Sequence, residues 1–136
     1  MELVRSIYAA WGRGDFSSVA WAHPEVEYVF ADGPTPGHWT GVAEMREASH
    51  DWVSAWEDWH ATAEEIRELD AERVLVLFRL GGRAKASGLD VGQVGAKGAG
   101  VLHVRDGKVT KLVCWWDRRH AFADLGLAPE DGPASS

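Results

Sequence analysis

A chain of 136 residues has room for one domain with a real core and little room for a second. Its 14 Lys and Arg stand against 21 Asp and Glu, a formal charge of −7, which argues against a nucleic-acid backbone as partner. Hydrophobic residues at 46% and charged residues at 26% are an ordinary soluble balance, and no run approaches the ~20 apolar residues needed to span a bilayer.

In chain order, Leu3, Val4, Ile7, Tyr8 and Trp11 recur at helical spacing, and Gly12 and Gly14 stop that helix. Asp15 is a good N-cap for a short helix over Phe16–Ala22, which His23-Pro24 would end. Val26–Ala31 alternates as a strand and runs into ADGPTPGHWTG, whose glycines and prolines demand a turn or loop. From Val42 to about His60 the set Val42, Met45, Ser49, Trp52, Val53 and Trp56 recurs at three and four, which predicts the longest helix. Ala61–Leu69 and Arg73–Leu80 then read as strands, followed by a glycine-rich stretch suited to a strongly curved strand or a close approach to the backbone. Val101–Arg105 and Val109–Trp116 flank the turn dipeptide Asp106-Gly107. A short helix over Arg119–Leu125 ends at Gly126, leaving residues 128–136 as a polar tail behind a single domain of residues 1–127.

Strands that follow one another through tight turns pair antiparallel, and helices gathered on such a sheet give an α+β domain. If the sheet curls, helices and sheet enclose a conical pocket. Eight tryptophans can fill a small core or wall a flat ligand. The lone Cys114 forms no internal disulfide, and the amino terminus lacks the apolar stretch of a signal peptide, so the cytoplasm is the expected compartment.

The order of elements, with YAAWGRGD (Tyr8–Asp15), VRDGKV (Val104–Val109) and WDRRHAFADLGL (Trp116–Leu127), resembles the nuclear-transport-factor-2-like superfamily, in particular its SnoaL-like branch. The likeness spans roughly residues 2–127. It implies a cone-shaped, mostly antiparallel curved sheet with three helices packed on its concave face, a cystatin-like architecture that often dimerises. It also implies a small-molecule pocket, in some members with cofactor-free isomerase, hydrolase or cyclase chemistry.

Carried over position by position, the ketosteroid isomerase shuttle acid falls on Asp32. The partners for its oxyanion are missing: the tyrosine position falls on Ile7, one residue short of Tyr8, and the second acid near Gly100. The epoxide hydrolase acid would align near Cys114, which cannot serve as that base. The cyclase acid at the end of the last strand matches Asp117, with His103 as its counterpart on the preceding strand. A two-residue turn at Asp106-Gly107 would pair His103 with Thr110 and put the two on opposite faces. A three-residue turn would pair it with Val109 and unite them.

The candidate catalytic residues are therefore Asp117, His103 and Asp32, and the candidate ligand-binding residues Tyr8, Trp39, Trp52, Trp56 and Trp116. Each has a plainer reading. Asp117 stands where a helix N-cap would, Asp32 can cap the Gly33-Pro34 turn, and His103 can be an ordinary sheet histidine. Arg118, Arg119 and His120 read as solvated, and His50, His60 and His120 lack metal spacing. The expectation is a pocket for a small apolar molecule, without metal or cofactor, in a homodimer. Three roles fit it: an acid–base enzyme, a binding or accessory module, or a scaffold whose tryptophans plug the cavity.

Overall fold

A computed structural model describes residues 2–16, 18–33, 36–90 and 97–127; the expected tail and part of the glycine-rich stretch lie outside them. The first helix, α1 (Glu2–Gly12), buries Val4, Ile7 and Tyr8 on one stripe. It ends where Gly14 takes φ 79° and the Asp15 amide turns back to the Ala10 carbonyl.

The short helix expected over residues 16–22 is not found among the described residues: Phe16, Ser18 and Val19 are irregular, Ala20 and Trp21 form a turn, and strand β1 begins already at Ala22. Aromatic packing explains the difference. Phe16 stacks on Trp11, Trp21 meets Trp11 edge-on, and the Trp21 indole N–H bonds the Ser18 carbonyl, which holds the segment open. Strand β1 (Ala22–Phe30) takes in His23-Pro24, and its register against the last strand slips between Ala22 and Glu27 to accommodate a residue without an N–H. Strand β2 (Gly37–Thr40), read from sequence as loop, pairs back on β1.

Helix α2 (Val42–Ser54) is shorter than its pattern suggests, because the chain leaves it at Ala55 and enters strand β3 (Trp56–Glu68). Strand β4 (Arg73–Ala84), strand β5 (Lys97–Arg105) and strand β6 (Lys108–Trp115) follow, then helix α3 (Arg118–Leu125). The sheet order is β2-β1-β6-β5-β4-β3, antiparallel throughout except for β1 beside β6. Register shifts at Glu57/His60 and Ala63/Glu65 add local twist, and the sheet curves without closing. Glycines let it bend around its own rings: a Cβ on Gly98 would stand 2.5 Å from the Phe78 ring.

The two faces bury different sets. Helices α1 and α2 cover the concave face with Val26, Val76, Leu102 and Leu112. Helix α3, expected on the concave face with the other two, lies on the opposite face, where Ala121 and Phe122 pack on Leu75, Leu77, Val101 and Trp115. A leucine buried as fully as Leu75 or Leu102 contributes roughly 1.5–3 kcal/mol.

Arg118, expected in solvent, is only 4% exposed. Its guanidinium donates to the Gly98 and Phe78 carbonyls and to Glu64 at 2.9 Å, clamping α3 across β5, β4 and β3. Arg119 and His120 do face outward.

Candidate functional site

Between α1, α2 and the concave face lies a cavity of about 420 Å³. Its deep wall is built from strand residues and one residue from each of two helices: Tyr8 of α1, Met45 of α2, and Tyr28, Ala61, Phe78 and Leu80 of the sheet, all buried. Its exposed lining residues are Gly14, Ser18, Arg46 and His50, which mark the rim.

Tyr8 is held edge-on to Trp11 at 4.8 Å and stacked on Phe78 at 5.8 Å. Its hydroxyl is buried without a hydrogen-bond partner among the described residues. Gly100 makes the room, since a Cβ there would stand 2.9 Å from that oxygen. So Tyr8, rather than Ile7 where the family likeness put a tyrosine, sits beside Gly100. Burial, then Cys114, pushes the Tyr8 phenol well above its ordinary value, and Tyr28 is raised the same way. Tyr28 accepts from the Ser49 hydroxyl at 3.3 Å. Burial, and then Asp32, pushes the Cys114 thiol up to about 12, so it stays protonated and unreactive.

The tryptophans divide. Trp52, Trp56, Trp59 and Trp116 form one cluster with centroids 4.8–6.1 Å apart. Residues three apart on a regular strand face opposite ways, yet Trp56 and Trp59 both turn inward. The bulge at Asp58, with φ 56°, reverses the alternation between them. Trp52 and Trp116 line the cavity with Tyr8, while Trp56 sits behind them in the cluster. Trp39 packs on Tyr28 and Phe30 near the sheet edge and does not reach the lining.

The acid–base candidates do not converge. Asp32, two residues after β1, is the one acid among the lining residues, its side chain 16% exposed. Its oxygens accept from the Trp116 and Asp117 backbone N–H groups, and His120 Nδ1 lies 2.6 Å away. That contact raises the His120 pKa. Asp117 is the N-cap of α3: it accepts from the Arg119 amide, pairs with that guanidinium at 2.7 Å, and is absent from the lining. The Arg119 bond lowers its pKa to about 2, opposite to the rise a general base requires.

His103 lies on the outer face. Asp106 and Gly107, both with positive φ, make a two-residue turn pairing Arg105 with Lys108, but a bulge follows and sets His103 opposite Lys111. Neither of the two expected pairings occurs. Burial, then Lys111 and Arg73, lowers its pKa.

Sequence reasoning missed Tyr28, Phe78, Trp59, Arg46 and His50. Tyr28 shares the alternation of Val26 and Phe30, and Arg46 and His50 flank the stripe of Met45 and Ser49, so both signals were present. Among the described residues, no group of three or more His, Cys, Asp or Glu is placed to hold a metal ion. No described helix is long and apolar enough to cross a membrane.

The SnoaL-like domain profile matches residues 4–112. The chain belongs to the SnoaL-like family. Solved structures agree on the SnoaL-like fold. An NTF2-like protein of unknown function from Burkholderia pseudomallei has TM-score 0.74 at 21% identity, covering 90% of this chain and 94% of that one. TerC, co-crystallised with polyporic acid, gives 0.71 at 22%, covering 91% and 95%. A protein from Catenulispora acidiphila with a ketosteroid isomerase-like fold, in complex with trimethylamine, gives 0.70 at 18%, covering 96% and 95%. No curated protein matches the sequence. Polyketide cyclase-like proteins from Mesorhizobium loti and Sinorhizobium meliloti share the fold at 19% and 16% identity.

Proposed function

We propose that this SnoaL-like chain binds a flat, mostly apolar small molecule carrying a hydrogen-bond acceptor, such as a carbonyl, with the Tyr8 O–H as its polar anchor. The observation that carries the reading is the Tyr8 hydroxyl, buried and unpartnered among the described residues, on a side chain that lines the cavity. A buried donor without an acceptor costs free energy, and a ligand carbonyl would recover it. The volume of about 420 Å³ suits a compact ring system. A neighbour of the same fold, TerC, was crystallised with polyporic acid, which supports a ligand of that general kind.

The test is intrinsic fluorescence quenching and thermal shift with aromatic carbonyl compounds and their parent hydrocarbons. Tyr8→Phe should weaken the carbonyl compounds about three- to tenfold and leave the hydrocarbons unchanged. If no compound in either set quenches or shifts the protein, the binding reading is lost.

A second, catalytic reading rests on Asp32, the lining carboxylate with an imidazole 2.6 Å away. A proton moved to or from a bound ligand would pass through that pair, with Asp117 and His103 as supports of the fold. Asp32→Asn should then stop turnover of an identified ligand while retaining its binding; unchanged turnover would sink this version. A homodimer through the outer sheet face and a cytoplasmic setting belong to the same proposal. Light scattering at a monomer mass would remove the first.

A further inference from the structure

The charged side chains of the cavity are unevenly placed. The deep wall is apolar or phenolic, and Asp32 is engaged by two amides and His120. Basic side chains stand at the rim: the Arg46 guanidinium and the His50 imidazole, one turn apart on α2, so that both project from one helix face. Arg67, Arg73, Arg105 and Arg119 each hold a carboxylate within 2.5–3.1 Å. Arg46 has no such ion pair among the described residues, although acids outnumber bases by 21 to 14. Its neighbours on α2 do not supply one. Glu44 accepts from the Thr40 amide at 3.0 Å, and Glu47, adjacent in sequence, projects from a different side of the helix.

We infer that the ligand is an organic acid, its flat apolar body inside the cavity and its anionic group at the rim on the Arg46 guanidinium, with the His50 imidazole beside it. This rests on the binding reading above. A guanidinium fork matches a carboxylate or sulfonate through two parallel N–H bonds. A rim position leaves the anion partly hydrated, so little of the gain is lost to desolvation. The net charge of −7 works against any anion, so a preference for an acid over its neutral counterpart has to come from a local cation such as Arg46.

Two probes share one body and differ in charge: 1-anilinonaphthalene-8-sulfonate and N-phenyl-1-naphthylamine. Titrated by fluorescence into the whole chain, the sulfonate should bind more tightly. Arg46→Gln should weaken the sulfonate about tenfold and the neutral probe less than about twofold. Arg67→Gln, an equal change of net charge elsewhere, should alter neither, and matching melting temperatures would show all three proteins folded. Equal affinity for the two probes, an equal loss of both in Arg46→Gln, or an equal loss of the sulfonate in Arg67→Gln overturns the inference while the cavity reading stands. Absence of binding by both probes overturns the two together.

Discussion

Replacing Tyr8 with phenylalanine should make the ligand-free protein more stable, the reverse of what most core substitutions do. The ring keeps its contacts with Trp11 at 4.8 Å and Phe78 at 5.8 Å, and only the unpartnered hydroxyl is removed. Burying a hydroxyl without a bond costs roughly 1–3 kcal/mol on the scale of protein mutations. Taking about 1 kcal/mol, the urea midpoint rises by about 0.5 M and the melting temperature by about 3–5 °C for a domain this size. Gly100→Ala provides the cross-check. Its new Cβ would stand 2.9 Å from the Tyr8 oxygen, with its next neighbours, Phe78 and Val113, at an ordinary 3.5 Å. Alanine should therefore destabilise the native chain and be tolerated better in the Tyr8→Phe background, a coupling of about 1 kcal/mol in a double-mutant cycle. Urea unfolding of the two single variants and the double measures all three quantities. A Tyr8→Phe protein that is less stable than the native chain, with no coupling to Gly100, would show that the hydroxyl is already satisfied and that the cavity holds no donor in reserve.

Asp117→Ala should cost about 1 kcal/mol of stability at neutral pH through loss of the α3 cap. The Asp117 pKa is depressed from 3.8 to about 2, so its contribution is complete above the ordinary carboxyl value and disappears as pH falls through about 2. The gap between native and Asp117→Ala stability should narrow between about pH 4 and 2; a pH-independent gap would refute the Arg119 pairing. Arg118→Met, which removes a buried guanidinium and leaves two carbonyls and Glu64 behind, should cost about 3 kcal/mol by chemical unfolding. A loss under about 1 kcal/mol would mean that α3 is held by Ala121 and Phe122 alone.

Sequence periodicity revealed the fold where one physical cause dominated. The stripe of Leu3, Val4, Ile7 and Tyr8 and the Asp106-Gly107 turn needed only local rules. Local pattern misled where tertiary packing took over. Trp52, Trp56 and Trp59 stand at four and three, as on a helix, yet they come together through a helix end, a strand start and a bulge. A single Asp58 in a left-handed conformation was invisible to any periodicity. The same limit applied to His103: the turn was legible, but the bulge after it, which fixes the face, was not. Asp117 had two readings in the sequence; the Arg119 backbone amide, two residues on, makes it the cap, and the Arg119 guanidinium pairs with the same carboxylate.

The bulge at Asp58 has an optical consequence. By turning Trp59 to the same side as Trp56, it brings four indoles to within 4.8–6.1 Å of one another, with planes from 12° to 87° apart. Transition dipoles at such separations exchange excitation faster than they emit, and their couplets dominate circular dichroism in the indole bands. Because Trp52, Trp59 and Trp116 also face the cavity, a guest that nudges one ring would rewrite the spectrum of all four, giving the wall a built-in gauge of its own occupancy.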